Sequence, residues 1–418
     1  MVELNEKSKG VLIRSRVQHM EENEKCTRYF FRKLFRSRQQ INTLIKENGE
    51  ELNDNEKINV EIYNFYKKLY DNKQINEEEM SFFLSKLTNK LTENERESLD
   101  QEITVDEITK AMQSMQSNKA PGLDGLPKEF YVTFWEILKE HLLQVYKEAF
   151  KKGILPNTMN QGMITLLYKK GPQNNLKNWR PLTLLGIDVK ILSKVLFFRV
   201  QTVISNIIGK EQTCGIPGRK MTDSLALIRD TYIFCQERRL PLSILGIDLE
   251  KAFDSVNHIF LERILSYFNF GSVFIKWIRV LYNECQSVVV VNRKLTLPIV
   301  IKAGVRQGCP LSPLLFIMAM EPLACIIRQN KMIKETIPPG NYGKDIKLIM
   351  YMDDLTLLLV DNLSIKESLK VCERFSAASG MKINKSKSEI IKTNTEKQIT
   401  QNKQIKYSWV TKALLLTR

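Results

Sequence analysis

The chain has 418 residues, of which 63 are Lys or Arg and 47 are Asp or Glu, leaving a net charge of +16. That length accommodates two or three domains with a sizeable core, and the basic surplus asks for a polyanionic partner, nucleic acid ahead of an anionic lipid surface. Apolar runs fall short of a membrane span and the N-terminus is polar with no signal-peptide core, while seven scattered cysteines without a C-x-x-C pair and only three histidines argue against a disulfide frame, a zinc knuckle or a His-based nucleophile. These features imply an intracellular protein of the nucleus or cytoplasm that does not engage a membrane.

Residues 1–100 are charged and mostly helical in pattern. Arg28 and Arg32 stand among further Arg and Lys residues and the aromatics Tyr29, Phe30, Phe31 and Phe35. Basic side chains interleaved with rings can grip a phosphate backbone and stack on bases; an amphipathic helix with a solvated basic face satisfies the same pattern. A helix is predicted over 56–69 and another over 105–115, the second running into a Pro- and Gly-punctuated loop at 119–125. Residues 163–168 read as a strand ending in Lys169 and Lys170, and Arg180 opens the returning strand. Cations at both ends of a strand–loop–strand suit a triphosphate, Lys as a point charge and Arg as a bidentate fork, although a solvated basic hairpin would look the same. Apolar spacing over 188–208 predicts a helix packed on a sheet.

Residues 242–247 read as a buried strand that ends at Asp248, and the apolar positions Phe253, Val256, Phe260, Ile264 and Leu265 predict a helix from Lys251 onward. Gly304 to Pro313 is a turn that opens a long apolar helix over 314–327. Two apolar, β-prone runs then flank Asp353 and Asp354, predicting a tight hairpin with the two carboxylates at its tip. Adjacent ionised carboxylates repel, so a fold that keeps them usually supplies a cation between them. Carboxylate oxygen suits Mg²⁺, the common partner of phosphate substrates. A strand end and a hairpin tip on neighbouring strands could bring Asp248, Asp353 and Asp354 around two Mg²⁺ ions about 3.5–4 Å apart for in-line phosphoryl transfer, with Mn²⁺ as a substitute.

Six segments together carry a resemblance: Lys119-Ala-Pro-Gly-Leu-Asp-Gly125, Asn178-Trp-Arg-Pro-Leu182, Asp248-Leu-Glu-Lys-Ala-Phe-Asp254, Gly304-Val-Arg-Gln-Gly-Cys-Pro-Leu-Ser-Pro313, Tyr351-Met-Asp-Asp354 and Ser379-Gly-Met-Lys-Ile-Asn-Lys-Ser-Lys387. In this order they resemble reverse transcriptases of the LINE (non-LTR retrotransposon) class. The resemblance implies an α+β right-hand polymerase with a helical N-terminal extension (1–100), fingers (101–235) and a palm whose antiparallel sheet is backed by helices (236–398). It implies Asp248, Asp353 and Asp354 as catalytic metal ligands, Lys169 or Lys170 and Arg180 on the nucleotide phosphates, and Lys387 as the group that protonates or neutralises leaving pyrophosphate. Gln212 and Arg219 become candidate template or nucleotide contacts, and Gln307 a hydrogen-bonding partner for a base edge or nucleotide. Gly308 would allow a base or backbone to approach closely. Phe253, five residues past Asp248, would press on the sugar's 2′ carbon and select deoxynucleotides. The implied partners are an RNA template, a DNA primer and dNTPs.

Three positions depart from that pattern. Cys214-Gly215 stands where the family usually shows Gly-Phe, and Met352 where LINE enzymes more often have Ala. After Lys406-Tyr407 the usual Leu-Gly pair is replaced by Ser408-Trp409, so residues 399–418 are expected to be a truncated, divergent tail of a fragment without endonuclease, thumb or C-terminal domains. The expected function is RNA-directed DNA polymerisation; the competing reading is a catalytically inactive, nucleic-acid-binding remnant of the same fold.

Overall fold

The computed structural model describes residues 40–336 and 346–393. Arg28, Arg32 and the 399–418 tail lie outside the described residues. In chain order the strands are β1 (Leu44–Ile45), β2 (Glu51–Leu52), β3 (Gln161–Tyr168), β4 (Trp179–Leu184), β5 (Ser243–Ile247), β6 (Leu249–Glu250), β7 (Gln286–Val291), β8 (Lys294–Leu295), β9 (Ile299–Val300), β10 (Leu348–Tyr351), β11 (Asp354–Leu359), β12 (Lys382–Ile383) and β13 (Glu389–Lys392). The chain forms two compact units, each assembled from separated segments. Of the described residues, one takes those up to Asn72, Glu97–Arg199 and Gly271–Ser312; the other takes Lys73–Arg96, Val200–Phe270 and those from Pro313 on.

In the first unit the sheet runs β4-β3-β7-β8, with β9 also paired to β7. β3 and β4 are antiparallel, as the strand–loop–strand pattern predicts, whereas β3 and β7 are parallel. The helix Val105–Ser114 starts at a capping box in which Thr104 and Glu107 satisfy each other's backbone N–H groups. The same Glu107 carboxylate accepts from Nε and Nη2 of Arg199 at 2.7 and 2.8 Å, while Arg199 Nη1 donates to the Leu99 carbonyl at 2.9 Å.

In the second unit the sheet order is β10-β11-β5-β13, every pairing antiparallel. The burial of β11 is continuous from Leu355 to Leu359, so both of its faces are covered and a polar side chain on it reaches solvent only at the strand's end. The helix Met221–Glu237 contributes Leu227, Ile228 and Cys235 to a cluster with Ile244, Ile349 and Leu358. The helix Asn362–Ser379 packs Phe375 against Phe83 and Phe260, with ring centroids 5.2 and 5.8 Å apart, and ends at Gly380 in the left-handed conformation. The helix expected from Lys251 is two helices, Ala252–Ser255 and His258–Tyr267. Asn257 breaks it: its side chain accepts from the N–H groups of Ile259 and Phe260 at 2.8 and 3.1 Å, the signature of an N-cap. Among the described residues one helix, Ser312–Gln329, is long and apolar enough by length and composition to cross a membrane, and 83% of it is buried inside the protein.

Candidate active site

The carboxylates are placed by the sheet. β10 and β11 pair with Tyr351 opposite Asp354, leaving Met352 and Asp353 as the two-residue loop. β11 and β5 pair with Leu355 opposite Ile247 and Thr356 opposite Gly246. The ladder ends there, and continuing its register by one residue brings Asp354 and Asp248 to the same end of the two strands, toward the face of Gly246 and Thr356. Asp248, Asp353 and Asp354 are all half-buried. The hairpin therefore differs slightly from its expected form: Asp353 is in the loop, and Asp354 already belongs to the strand. Among the described residues no three His, Cys, Asp or Glu side chains are gathered as a metal cage; the ladder offers the Asp248–Asp354 pair with Asp353 on the adjoining turn. That donor set fits Mg²⁺ held beside phosphate, which commonly takes one or two carboxylates and completes its shell with substrate and water.

The loop itself is constrained. Met352 has φ +61°, a conformation that favours glycine and costs a side-chain-bearing residue about 1–2 kcal/mol. Cys214 borders it: its thiol is pushed up by burial and by the charge of Asp353, against a hydrogen bond with Tyr351. On the other side of β5, the segment after β12 folds back around Asp248. The Asn384 N–H donates to the Asp248 carbonyl at 2.8 Å, and the Asp248 N–H donates to Ser388 Oγ at 3.2 Å. On this turn Lys385 pairs with Glu373 at 2.7 Å and Lys387 is exposed.

Phe253 lies on the short helix Ala252–Ser255 and stacks on Phe316, with ring centroids 4.5 Å apart and an interplanar angle of 10°. Gln212 and Arg219, expected to touch template or nucleotide, are committed internally. Gln212 is 2% exposed and its carboxamide binds the Met352 backbone. The Arg219 guanidinium donates to the carbonyls of Ile208 and Gln212 at 2.9 Å each, and also to that of Gly209. Guanidinium groups that close the carbonyl end of a helix serve folding before recognition.

In the first unit, Arg180 is paired with Leu167, and the Lys169 N–H donates to the Asn178 carbonyl at 3.0 Å. That bond carries the register one step past β3 and keeps Lys169 on the side of Arg180, while Lys170 follows in a bend. All three are exposed. The Thr183 N–H donates to the Gln307 carbonyl at 2.7 Å, so the 304–308 turn extends the edge of β4. At Gly308, with φ +122°, a Cβ would lie 2.2 Å from the Thr183 carbonyl oxygen. The close approach foreseen for Gly308 is therefore that of its own sheet.

A cluster that sequence reasoning missed lies where residues 119–125 meet 184–190. Gly122 and Gly186 touch so closely that a Cβ on Gly122 would stand 2.5 Å from the Gly186 nitrogen. Beside them Asp188 is pushed up to about 6, mainly by burial and further by the charge of Asp124. Asp124 is raised by burial too, and Lys190 is lowered by burial against the pull of Asp124. The paired glycines flanked by Asp were the available signal.

A family model described as reverse transcriptase (RNA-dependent DNA polymerase) matches residues 167–408, which include Arg180, Asp248, Asp353, Asp354 and Lys387. The chain is similar to a Xenopus laevis protein named transposon TX1 uncharacterized 149 kDa protein, 35% identical over 91% of this chain and 29% of the relative. It is also similar to a Pol polyprotein of a type-1 R2 retrotransposable element from Popillia japonica, 28% identical over 64% of this chain and 36% of the relative. A probable RNA-directed DNA polymerase from transposon BS of Drosophila melanogaster is 22% identical over 62% of this chain and 28% of its own length. The chain thus spans about a third of each of these curated relatives.

Proposed function

The chain belongs to the reverse transcriptase (RNA-dependent DNA polymerase) family, and from that footing we propose that it is the polymerising part of a non-LTR retrotransposon protein, copying RNA into DNA by adding dNTPs to a primer. The observation that carries the reading is the register pairing Leu355 with Ile247, which brings Asp354 and Asp248 to the same end of neighbouring strands and leaves Asp353 on the adjoining turn. In the reaction a primer 3′-oxygen bonds to the α-phosphorus of a dNTP, the bond to the β-phosphate breaks, and pyrophosphate leaves. Bound divalent ions, Mg²⁺ or Mn²⁺ and two in number, would lower the pKa of the attacking hydroxyl and neutralise the phosphates. Asp248, Asp353 and Asp354 would hold those ions.

Lys387, exposed on the turn that closes over Asp248, gives a proton from Nζ to the departing pyrophosphate. Phe253 excludes a 2′-hydroxyl, Lys169 or Lys170 together with Arg180 is the assigned triphosphate contact, and Gln307 is a nucleotide contact. We read 236–398 as palm and 101–235 as fingers, preceded by an extension over 1–100 in which Arg28 and Arg32 bind nucleic acid. An RNA template and DNA primer are the corresponding partners.

Primer extension on poly(rA)/oligo(dT) with Mg²⁺ or Mn²⁺ tests the reading. The chain should extend the primer, and Asp353→Ala should lower the rate roughly 10²–10⁴-fold, as expected when a metal ligand is lost. Equal signal from the two proteins would remove the assigned site, and no signal from either would favour a nucleic-acid-binding remnant.

A further inference from the structure

The catalytic turn has a support that no part of the polymerase reading uses. The segment after the helix Ile187–Ile207 runs alongside β10 and pairs with it at one position, Gln212 beside Met350, in parallel sense. The Met350 N–H donates to the Glu211 carbonyl at 2.9 Å, and the Met350 carbonyl accepts from the Thr213 N–H at 3.1 Å. This short pairing brings the Gln212 side chain to the loop. Gln212 Oε1 accepts from the Met352 N–H at 3.0 Å and the Cys214 N–H at 3.1 Å, and Nε2 donates to the Met352 carbonyl at 3.4 Å. Both backbone polar groups of Met352 are thereby held by one buried carboxamide, which uses three of its four hydrogen-bonding sites to do so.

The strap is itself anchored. Arg219 binds the Gln212 carbonyl at 2.9 Å and the end of the preceding helix through Ile208. Glu211 is held by Arg328, with Nε 3.0 Å and Nη2 3.2 Å from its carboxylate oxygens, and Arg328 Nη2 also binds Glu321 at 3.1 Å. Gln212 is thus carried on a segment fixed at both neighbouring positions, which is what a side chain needs to impose a conformation on a loop instead of following it.

That imposed conformation is the unusual one. Met352 is left-handed at φ +61° with a side chain that disfavours it, and in a two-residue hairpin loop the first position fixes where the second residue is carried. The second residue is Asp353. We propose that Gln212 is a positioning residue of the polymerase site: its carboxamide holds Met352 left-handed and so sets the placement of Asp353. The catalytic consequence rests on the polymerase reading, but the clamp itself does not.

Two measurements test it. Gln212→Leu should lower kcat about 10²-fold with little change in KM for dNTP, because a small displacement of a positioned group costs on that order. Met352→Gly should rescue it, since glycine adopts positive φ without help; in a double-mutant cycle the loss from Gln212→Leu should be at least about tenfold smaller in the Met352→Gly background, a coupling of about 1.4 kcal/mol. Losses that simply multiply would overturn the proposal. Hydrogen exchange on the unmodified chain reads the clamp without needing activity or a foldable variant. The Met352 amide should be protected to the extent of Met350, and exchange at the rate of an open loop would overturn it. A chain inactive in primer extension but protected at Met352 would defeat the polymerase reading while leaving the clamp in place.

Discussion

The rings of Phe253 and Phe316 lie nearly parallel, 10° apart in plane and 4.5 Å between centroids, and Phe316 is fully buried. Phe253 sits on a helix of only four residues, too short to hold a side chain rigidly on its own, so the stack supplies the stiffness a steric gate requires. Phe253→Ala should therefore admit ribonucleotides. Phe316→Leu keeps the apolar volume but removes a stack worth about 1 kcal/mol, and should erode the dNTP-over-NTP preference by about five- to tenfold. Competition between dTTP and UTP on a poly(rA) template measures both. If Phe253→Ala leaves UTP incorporation unchanged, the gate is elsewhere.

The two lysines at the end of β3 should behave differently. Lys169 continues the ladder on which Arg180 sits through its N–H bond to the Asn178 carbonyl, while Lys170 follows in a bend past the strand's end. A charge-assisted phosphate contact is worth enough that Lys169→Ala should raise KM for dNTP by about tenfold, and Lys170→Ala by less than about twofold. Added salt should narrow the difference, since both groups are exposed and screened. Steady-state kinetics at low and high ionic strength reads this directly, and equal effects from the two substitutions would return the hairpin to a solvated role.

Asp188 makes a prediction about pH. Its carboxyl is pushed up to about 6 by burial and by the neighbouring Asp124, above the ordinary value of 3.8 that it regains on unfolding. Between these values the folded state binds the extra proton, so stability is greatest at the acid end of the window and falls as pH rises from about 4 to about 6. The full effect is about 3 kcal/mol at most. Asp188→Asn preserves the oxygen that accepts the Val189 N–H at 2.7 Å while removing the titration. Compared with the parent, it should be equally stable near pH 4 and more stable at pH 7. Urea midpoints across that range provide the comparison, and a constant difference between the two proteins would assign the burial cost to another group.

Much of this was legible in the chain because it is local. The strands around Asp248 and Asp354 are uninterrupted apolar runs that stop at the carboxylates, and the Gly380 cap sits where the periodic helix ends. Asn257 was equally readable as a cap, but its apolar neighbours concealed the break. The internal bonds of Gln212 and Arg219 were hidden for a different reason. A polar residue in a polar loop looks available to a ligand, and the partner that consumes Gln212 is 140 positions away in the chain. The Asp124, Asp188 and Lys190 cluster left only the paired Gly-x-Asp as a trace, because its members come together only when Gly122 meets Gly186. Long-range pairing, which local pattern does not encode, decides which polar groups remain free.

Gly308 separates conformational freedom from space. Its φ of +122° disfavours any side chain, and an added Cβ would also meet the Thr183 oxygen at 2.2 Å, backbone that cannot swing aside. Gly49 is left-handed as well, at +88°, with nothing within 4 Å of the same Cβ position. Gly49→Ala should therefore cost only the conformational part, about 1 kcal/mol. Gly308→Ala must additionally push the 304–308 turn off β4 and break the 2.7 Å bond from the Thr183 N–H to the Gln307 carbonyl, for a total of about 3–5 kcal/mol. Chemical denaturation of both variants gives the two costs, and hydrogen exchange should show the Thr183 amide losing protection in Gly308→Ala alone. Because Gln307 moves with that turn, the same substitution should raise KM for dNTP if its side chain contacts the nucleotide. A destabilised Gly308→Ala protein with an unchanged KM would confine Gln307 to the edge of the sheet.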